Sequence, residues 1–415
     1  MNTTPMTSED RASAFSRERL AGYNPERMFE AVALVVGSGA LGQNVLLDLA
    51  LSGVRELRLV DRDRFEGHNR TRSPFYPNPE EQERYGLAKV RVVAEKLLPL
   101  MTAPEPIVRY ADNWVQELGD GAFLGVSVIV SCVDTPLGRA YLSDKARLHG
   151  IPMIEAGFNG SQLSLSAYPA AEIDEARVAP CWRCANQELI GAFSCRFYAM
   201  AMEEAGIIPA IQNAASALAA FQAEAAVQAI HGEMPLAYRG FDLDLRTSRA
   251  RPLLYSTDPD CPGEHRRLEG TAEFLELEAG SSLADLVRLV EQRLGAGARL
   301  ELPSPFVWEA PCTTCGQGAA VHAPDWRWIM NPRCSACGGD TPRVPHGGRP
   351  DSPWVTTWVA STTRPDLLAL PAAVVGFTPL TLLEAHTLEG KSTIFRLAGN
   401  LDELFVQVPS PDSRG

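Results

Sequence analysis

The sequence predicts an α/β protein with a mainly parallel sheet, followed by a smaller α+β C-terminal domain. Two observations predict the sheet. Apolar, strand-like runs alternate with helical patterns from Val32 to about Gly240, and parallel strands need such helical crossovers between them. The first run, "VALVVGSGALGQ", also breaks into Gly37-x-Gly39-x-x-Gly42, and this strand–turn–helix pattern is typical of a Rossmann-like nucleotide-binding fold.

The first predicted domain covers residues 31–265. Each strand in it is a short apolar run, and each helix has apolar residues at helical spacing or a run of alanines. Gly53 and Gly232 mark the ends of the first and last helices. In order, the elements are the strand "VALVV", the helix "LGQNVLLDLALSG", the strand "ELRLVD", the helix "YGLAKVRVVAEKLLPL", the strands "PIVRYAD" and "VSVIVSCVD", a helix from about Gly138 to Leu148, the strands "PMIEAGFNG" and "SQLSLSAYP", and the helix "NAASALAAFQAEAAVQAIHG".

The segments on either side of this domain have a different character. Residues 1–30 form a polar lead-in, and residues 266–415 form the predicted C-terminal domain. That domain begins with a strand and a helix in "FLELEAGSSLADLVRLVEQRLG" and continues through a cysteine-rich loop. The Gly- and Pro-rich stretch "GGDTPRVPHGGRPDSP" predicts a linker or long loop, "WVTTWVAS" and "KSTIFRLAGN" predict strands, and "PSPDSRG" predicts a disordered tail.

Length and composition exclude several classes of protein. At 415 residues the chain is long enough for two or three domains. A net charge of −13 argues against nucleic acid as the main partner, because phosphate backbones need a basic surface. The N-terminus lacks an apolar segment, and no apolar run reaches about 18 residues, so we expect a cytoplasmic protein that does not enter the membrane. In that reducing compartment, nine cysteines indicate metal ligands or thiol chemistry rather than disulfides.

Four of the cysteines predict a zinc ribbon at residues 312–337. Cys312-x-x-Cys315 and Cys334-x-x-Cys337 have 18 residues between them, and a glycine follows each pair. Two such pairs can place four thiolates tetrahedrally around one zinc ion, and the glycine lets the backbone turn beneath the metal. Trp326 and Trp328, which lie between the pairs, are expected to pack inside this unit.

Three other cysteines predict a second structural zinc site. Cys181 and Cys184 form one pair, and the segment "DPDCPGEH" offers Cys261 and His265. Two cysteines plus a cysteine and a histidine are an acceptable ligand set if the fold brings them together. The sequence leaves open whether His265 or another group is the fourth ligand.

The last two cysteines are not assigned to a metal. Cys132 lies in the apolar strand "VIVSCVD" and is expected to be an inert, buried thiol. Cys195, in "AFSCRFYAM", has an arginine beside it, which favours a thiolate. Cys195 is therefore either a half-buried core residue or a nucleophile.

Residues after the glycine loop decide which nucleotide chemistry it serves. Asp61 follows Gly42 by 19 residues, at the end of the second strand, where a carboxylate would accept from ribose hydroxyls in NAD or ATP alike. Hydride transfer has no need of the further polar groups that follow, whereas nucleotidyl transfer needs cations for the triphosphate and a carboxylate for Mg²⁺. These groups are Asn69, Arg72, Lys89 and Asp134, with Asp63 and Arg70 interpreted as solvated loop charges.

The order G-x-G-x-x-G, D-x-D, N-x-x-R, helix lysine, C-x-D and C-x-x-C resembles the ThiF/MoeB and ubiquitin-activating enzyme superfamily over roughly residues 13–265. The resemblance implies that the glycine loop binds ATP and that the enzyme adenylates the C-terminal glycine of a ubiquitin-like β-grasp protein. It implies that Asp61 holds the ribose, and that Asn69, Arg72 and Lys89 contact the phosphates. It also implies that Asp134 serves Mg²⁺ and the adenylate.

The same resemblance extends to partners. Arg17 in "FSRER" is similar to an N-terminal arginine that reaches into the ATP site of the partner subunit, so a homodimer is implied. Cys181 and Cys184 match a structural zinc pair of the family, and Cys195 lies in the region of the crossover loop.

Two versions of the reaction remain open on this basis. Because the C-terminal cysteines are used in a zinc ribbon, we favour thioester transfer through Cys195 to a conjugating enzyme, in a pathway of the kind found in antiphage defence operons. The alternative is activation of a sulfur-carrier protein, as in thiamine or molybdopterin synthesis. An NAD-dependent oxidoreductase and a non-catalytic scaffold are remote alternatives.

Overall fold

The computed structural model describes two β-sheets with helices around them. The described residues are 13–170, 180–186, 210–261, 263–268, 272–277, 280–312, 314–330, 333–334, 336–339 and 355–409. Cys195, residues 340–353 of the predicted linker and the last residues of the predicted disordered tail lie outside these ranges. Among the described residues, no helix is both long and apolar enough to cross a membrane.

The first sheet has nine strands, which are β1 (Val32–Val36), β2 (Glu56–Val60), β3 (Ile107–Ala111), β4 (Val128–Ser131), β5 (Met153–Asn159), β6 (Gln162–Tyr168), β7 (Arg239–Asp244), β8 (Arg249–Leu254) and β15 (Val406–Gln407). Their order across the sheet is β15-β3-β2-β1-β4-β5-β6-β7-β8. The four pairings from β3 to β5 are parallel, and the four outer pairings are antiparallel. The sheet is therefore mixed, which corrects the prediction of a mainly parallel sheet.

Helices cover both faces of the parallel strands, as buried parallel sheets require. The alanine-rich helix packs against the helix that follows the glycine loop, and the small side chains let the two approach closely. On the opposite face, the helix after β4 packs on β4 and β5. The helices are α1 (Ser16–Leu20), α2 (Pro25–Met28), α3 (Ala40–Leu51), α4 (Pro79–Tyr85), α5 (Lys89–Leu97), α6 (Val115–Leu118), α7 (Pro136–His149), α8 (Trp182–Ala185) and α9 (Gln212–Ile230).

The second sheet has six strands with its own apolar core. Its longest strand, Arg299–Pro311, pairs with three neighbouring strands. Its first strand, Glu273–Leu275, lies at one edge and pairs in parallel with the strand Ser392–Leu397. The elements are β9 (Glu273–Leu275), α10 (Leu283–Leu294), β10 (Arg299–Pro311), β11 (Gly318–Pro324), α11 (Asp325–Met330), β12 (Val355–Val359), α12 (Pro365–Leu368), β13 (Leu382–His386) and β14 (Ser392–Leu397). After β14 the chain returns to the first sheet, where β15 pairs with β3.

A buried carboxylate joins the two sheets. Asp120 lies in a 3₁₀ helix after α6, and its Oδ1 accepts from Lys145 Nζ at 2.7 Å and pairs with His149 Nε2 at 2.9 Å. Its Oδ2 accepts from the backbone N–H of Leu382 at the start of β13, at 3.2 Å. Burial alone would raise the pKa of Asp120, but Lys145 and His149 lower it well below its ordinary value. The carboxylate therefore stays charged and links the two units of the chain. The first unit is the first sheet with its helices, and the second unit comprises β9 to β14 with α10 to α12.

Candidate functional site

A cavity of about 510 Å³ opens at the carboxyl ends of the parallel strands. This edge is where open α/β sheets bind ligands, because the loops after neighbouring strands converge there. The cavity brings together most residues that the sequence predicted for the nucleotide, separated as they are along the chain. They are Gly37, Gly39, Asp61, Asn69, Arg72, Lys89 and Asp134.

The glycine loop has the backbone geometry of a phosphate loop. Gly37 has φ +96°, and a Cβ there would lie 2.6 Å from the carbonyl oxygen of Cys132. A Cβ on Gly42 would lie 1.9 Å from the carbonyl oxygen of Gly37, so only glycine fits between the loop and α3. A Cβ on Gly39 would meet no protein atom within 4 Å, although Gly39 lines the cavity at the start of α3. That open space lets a phosphate approach the backbone and the positive end of the helix dipole.

Asp61 is fixed at the end of β2 by the glycine loop itself. Its Oδ2 accepts from the backbone N–H of Ser38 at 2.6 Å and from the Ser38 hydroxyl at 2.9 Å, and its Oδ1 accepts from the Asp63 N–H at 2.8 Å. Burial and the nearby charge of Asp63 raise the pKa of Asp61, while these N–H groups and Lys89 oppose the rise. The carboxylate is thus held in the cavity wall, where it could accept hydrogen bonds from ribose hydroxyls.

Three side chains place cationic and amide groups beside this wall. Lys89, at the start of α5, is buried, and its Nζ lies 3.1 Å from Asp63 Oδ2. Arg72 is held by the carbonyl oxygen of His68 at 2.8 Å. Asn69 is buried and accepts from the Glu66 N–H at 2.9 Å, which closes the short helix before Arg72. Asp63 therefore orients Lys89, whereas the sequence indicated only a solvated loop charge.

Asp134 lies exposed at the rim of the cavity, after β4. The next residue, Thr135, caps α7 by accepting from the Gly138 N–H at 3.2 Å. This cap places Arg139, which the sequence reasoning missed, in the first turns of α7 and in the cavity wall. Arg139 donates to the Val133 carbonyl at 3.0 Å and forms an ion pair with the buried Glu155. The "TP" helix-start signal after Asp134 was the clue that could have found it.

Cys132 lines the cavity instead of lying fully in the core. It is half-buried, and its Sγ donates to Gln222 Oε1 on α9 at 3.4 Å. Burial raises the pKa of the Cys132 thiol well above its ordinary value. A thiol that stays protonated is a poor nucleophile, which is consistent with the predicted inert thiol, whereas the predicted full burial is wrong.

Two predicted residues stand apart from the cavity. The side chain of Arg17, on α1, is exposed. Arg17 is not among the described residues that line the cavity of its own chain. Cys195 lies outside the described residues, so its role stays a prediction.

The first predicted zinc ligands come together in space. Cys181 Sγ lies 3.8 Å from Cys184 Sγ and 3.6 Å from Cys261 Sγ, and Cys184 Sγ lies 3.5 Å from His265 Nε2. Ligands placed tetrahedrally around zinc are about 3.8 Å apart for two sulfurs and about 3.5 Å apart for sulfur and nitrogen. The four groups therefore fit a zinc ion, with His265 as the fourth ligand candidate.

The ribbon cysteines also form one cluster. Cys312 Sγ lies 3.6 Å from Cys337 Sγ, and Cys315 Sγ lies 3.9 Å from Cys334 Sγ. Backbone N–H groups point at the sulfurs, from Thr314 to Cys312 at 3.3 Å and from Gly339 to Cys337 at 3.4 Å. These N–H groups would stabilise thiolates, which are the form that binds zinc.

Metal analysis tests both clusters. We expect about two zinc ions per chain, and about one after either Cys334→Ser or Cys181→Ser, because each cluster loses a sulfur ligand. Plasma mass spectrometry of the purified protein measures this. Cys132→Ser is the matched control and should keep both ions; zinc lost from that variant, or retained in full by the others, would contradict the assignment.

Comparison with known proteins agrees with the geometry. The model of the ThiF family matches residues 14–263. "Adenylyltransferase and sulfurtransferase uba4" of Aspergillus fumigatus is 32% identical over 156 residues, which cover 37% of this chain and 31% of that protein. The protein of the same name from Saccharomyces cerevisiae is 30% identical over 154 residues, or 36% and 32% of the two chains. The aligned part thus spans about a third of these relatives.

Solved structures share the fold at low identity. Escherichia coli MccB with MccA-N7isoASN has a TM-score of 0.50 at 19% identity, covering 62% of this chain and 75% of that one. The microcin C7 biosynthetic enzyme MccB in complex with N-formylated MccA has a TM-score of 0.50 at 17% identity, covering 62% and 77%.

Proposed function

Because the chain belongs to the ThiF family, we propose that it is an ATP-dependent adenylyltransferase that activates the C-terminal glycine of a ubiquitin-like β-grasp protein. The observation that carries the proposal is a single cavity that combines the glycine loop, the Asp61 carboxylate and the cations Arg72 and Lys89. The names of the relatives include adenylyltransferase, which supports the same reaction.

The residues of the cavity divide the work along the nucleotide. The loop from Gly37 to Gly42 takes the phosphates, and Asp61 takes the ribose hydroxyls. Arg72 and Lys89 neutralise the triphosphate as the substrate carboxylate attacks the α-phosphate and pyrophosphate leaves. Asp61 is hydrogen-bonded to Ser38 of the glycine loop, whereas Asp134 is exposed at the rim of the cavity. Asp134 is therefore the carboxylate that we assign to Mg²⁺.

The product is a mixed anhydride between AMP and the C-terminal glycine of the ubiquitin-like protein. The carbonyl group of that glycine is then open to attack by a sulfur nucleophile. Adenylation needs cations beside the triphosphate, whereas hydride transfer does not, and Arg72 and Lys89 line the cavity. A scaffold without activity would have no reason to hold Lys89 in place through Asp63. These two observations favour the adenylyltransferase over the oxidoreductase and the scaffold.

The sulfur that accepts the acyl group is proposed to be that of Cys195. Among the nine cysteines, eight lie in described residues: seven lie in the two metal clusters, and the eighth is Cys132, whose pKa is raised by burial. All four cysteines after residue 266 belong to the ribbon, so that region has no thiol left for a sulfurtransferase reaction. This favours thioester transfer to a conjugating enzyme over sulfur transfer within this chain, although the relatives' names include sulfurtransferase.

A thioester at Cys195 has a clear chemical signature. Cys195→Ala should abolish a thiol-sensitive band between the enzyme and the ubiquitin-like protein on a non-reducing gel, because the thiolate that displaces AMP is missing. Adenylation should continue, since it precedes that step. Cys132→Ala serves as the control. A thioester that persists in Cys195→Ala, or disappears in Cys132→Ala, would exclude Cys195 as the acceptor.

We propose a homodimer in which Arg17 of each chain reaches the ATP site of the other. The exposed position of Arg17 on α1, away from its own cavity, supports this arrangement. Apolar side chains on the outer side of α9, such as Phe221 at 46% exposure, offer surface for a partner subunit.

ATP–pyrophosphate exchange tests the proposed function. Purified protein, Mg²⁺ and ATP should incorporate labelled pyrophosphate into ATP only when a β-grasp protein ending in glycine is present, because pyrophosphate release requires the carboxylate. Absence of exchange with every such protein, together with quenching of NADH fluorescence, would favour the oxidoreductase. Light scattering of the same sample tests the homodimer.

A further inference from the structure

The segment after β3 faces both the nucleotide cavity and the second unit. Asn113, Trp114, Val115 and Gln116 line the cavity, and α6 begins within this run. Beyond the cavity, Trp114 and α6 contact α11, which lies within the zinc ribbon, and Thr378, which precedes β13. Changes in the second unit can therefore reach the nucleotide through these few residues.

On the cavity side, this segment lies where a nucleobase would be. The phosphate loop follows β1 and the ribose carboxylate follows β2, so the order of strands in the sheet directs the base toward the end of β3. Trp114 is half-buried there, and the guanidinium carbon of Arg62 lies 3.4 Å from the centre of its ring. Both residues line the cavity, and the guanidinium lies over the indole ring.

Outside the lining of this cavity, α11 of the second unit contacts Trp114 and α6. The ring of Trp326 lies 6.4 Å from that of Trp114 at a tilt of 58°, and Trp326 is only 8% exposed. One residue on, Arg327 forms an ion pair with Glu117 of α6. Thr378 adds a third contact, donating to the carbonyl oxygen of Leu118 at 3.1 Å.

The helix α11, which makes these contacts, lies within the zinc ribbon. The helix covers Asp325–Met330, between the pair Cys312/Cys315 and the pair Cys334/Cys337. Zinc bound by all four sulfurs would fix the chain on both sides of α11. The sequence indicated only that Trp326 packs within the ribbon, whereas the ring reaches across to the first unit.

We propose that Trp326 is a positioning residue for the nucleobase: it holds Trp114, and with it Arg62, so that the ribbon-bearing unit completes the base subsite of the ATP site. This inference rests on the proposed function for the identity of the nucleotide. It assigns to the C-terminal unit a role in ATP affinity, and it separates base recognition from phosphate recognition within one cavity.

Equilibrium binding of two ligands tests the proposal. Trp326→Ala should weaken ATP binding about 10-fold, as expected for a loosened stacking surface, and leave the binding of inorganic tripolyphosphate within about twofold. Trp326→Phe should retain ATP affinity within about threefold, since an aromatic ring remains against Trp114. Lys89→Ala should weaken both ligands, which shows that the tripolyphosphate measurement reports the phosphate end of the cavity.

The matched control is Trp358→Ala, whose described ring contacts, His386 and Arg299, belong to the second sheet. It should bind both ligands like the wild type. Equal ATP affinity in Trp326→Ala and wild type, or an equal loss for ATP and tripolyphosphate in Trp326→Ala, would overturn the positioning role while leaving the proposed function intact. A wild-type protein that binds tripolyphosphate but shows no preference for ATP would overturn the proposed function and the base subsite together.

Discussion

Lys89→Ala is expected to lower the rate of ATP–pyrophosphate exchange about 10²- to 10³-fold. Lys89 is the buried cation of the cavity, and losing one preorganised charge at a developing anion has an effect of this size. Its ion pair with Asp63, 55% exposed, contributes little to stability, so the folded state should survive. Exchange kinetics with saturating ATP measure the loss.

The same helix provides the control. Lys96 also lies on α5 and pairs with Glu81 at 3.0 Å, but it does not line the described cavity. Lys96→Ala should change exchange by less than about twofold, because an ion pair at a partly exposed site has only a small effect. Similar losses for Lys89→Ala and Lys96→Ala would mean that α5 acts through stability and not through charge at the phosphates.

Gly42→Ala is expected to have the second large effect, through the backbone. The added Cβ would lie 1.9 Å from the carbonyl oxygen of Gly37, so the loop and α3 must separate. We expect a loss of about 1–3 kcal/mol in the free energy of unfolding from overpacking. ATP affinity should fall about 100-fold, because a shift of roughly 1 Å in the loop displaces the phosphates.

Gly39→Ala should separate binding from stability. Its Cβ would meet no protein atom within 4 Å, and Gly39 has an ordinary φ of −73°. Unfolding should therefore change by less than about 1 kcal/mol, while ATP affinity still falls because the methyl group occupies the space beside the helix N-terminus. Denaturant unfolding and calorimetric ATP titration distinguish the two variants. Unchanged ATP affinity in Gly39→Ala would contradict a phosphate site at this loop.

The sequence could predict those parts of the site in which local steric fit or metal coordination restricts the residue type. Only glycine fits at Gly42, and four thiolates at ribbon spacing have few alternatives to zinc. Asp61 follows because the order strand, loop, helix, strand fixes which residue ends β2. These features depend on neighbours in sequence, and the structure places them as the patterns predicted.

The features that the sequence did not predict depend on contacts between segments far apart in the chain, or lie where the strand pattern is interrupted. The strand β10 was missed because Pro303 and Pro305 interrupt it, and its register with β12 shifts between Glu301 and Phe306, where these prolines lie. The mixed sheet could have been foreseen, since only two residues link β5 to β6 and a parallel pair needs a long crossover. The contact between Trp114 and Trp326 joins segments that no local pattern relates.

Transfer of label from ATP tests the central claim most directly. When the protein is mixed with Mg²⁺ and a β-grasp protein ending in glycine, label from the α-phosphate of ATP should appear on the β-grasp protein after acid quenching, and label from the γ-phosphate should not. A substrate whose C-terminus is amidated should take up neither label. Transfer of γ-label, or of α-label to the amidated protein, would contradict adenylation of a C-terminal carboxylate.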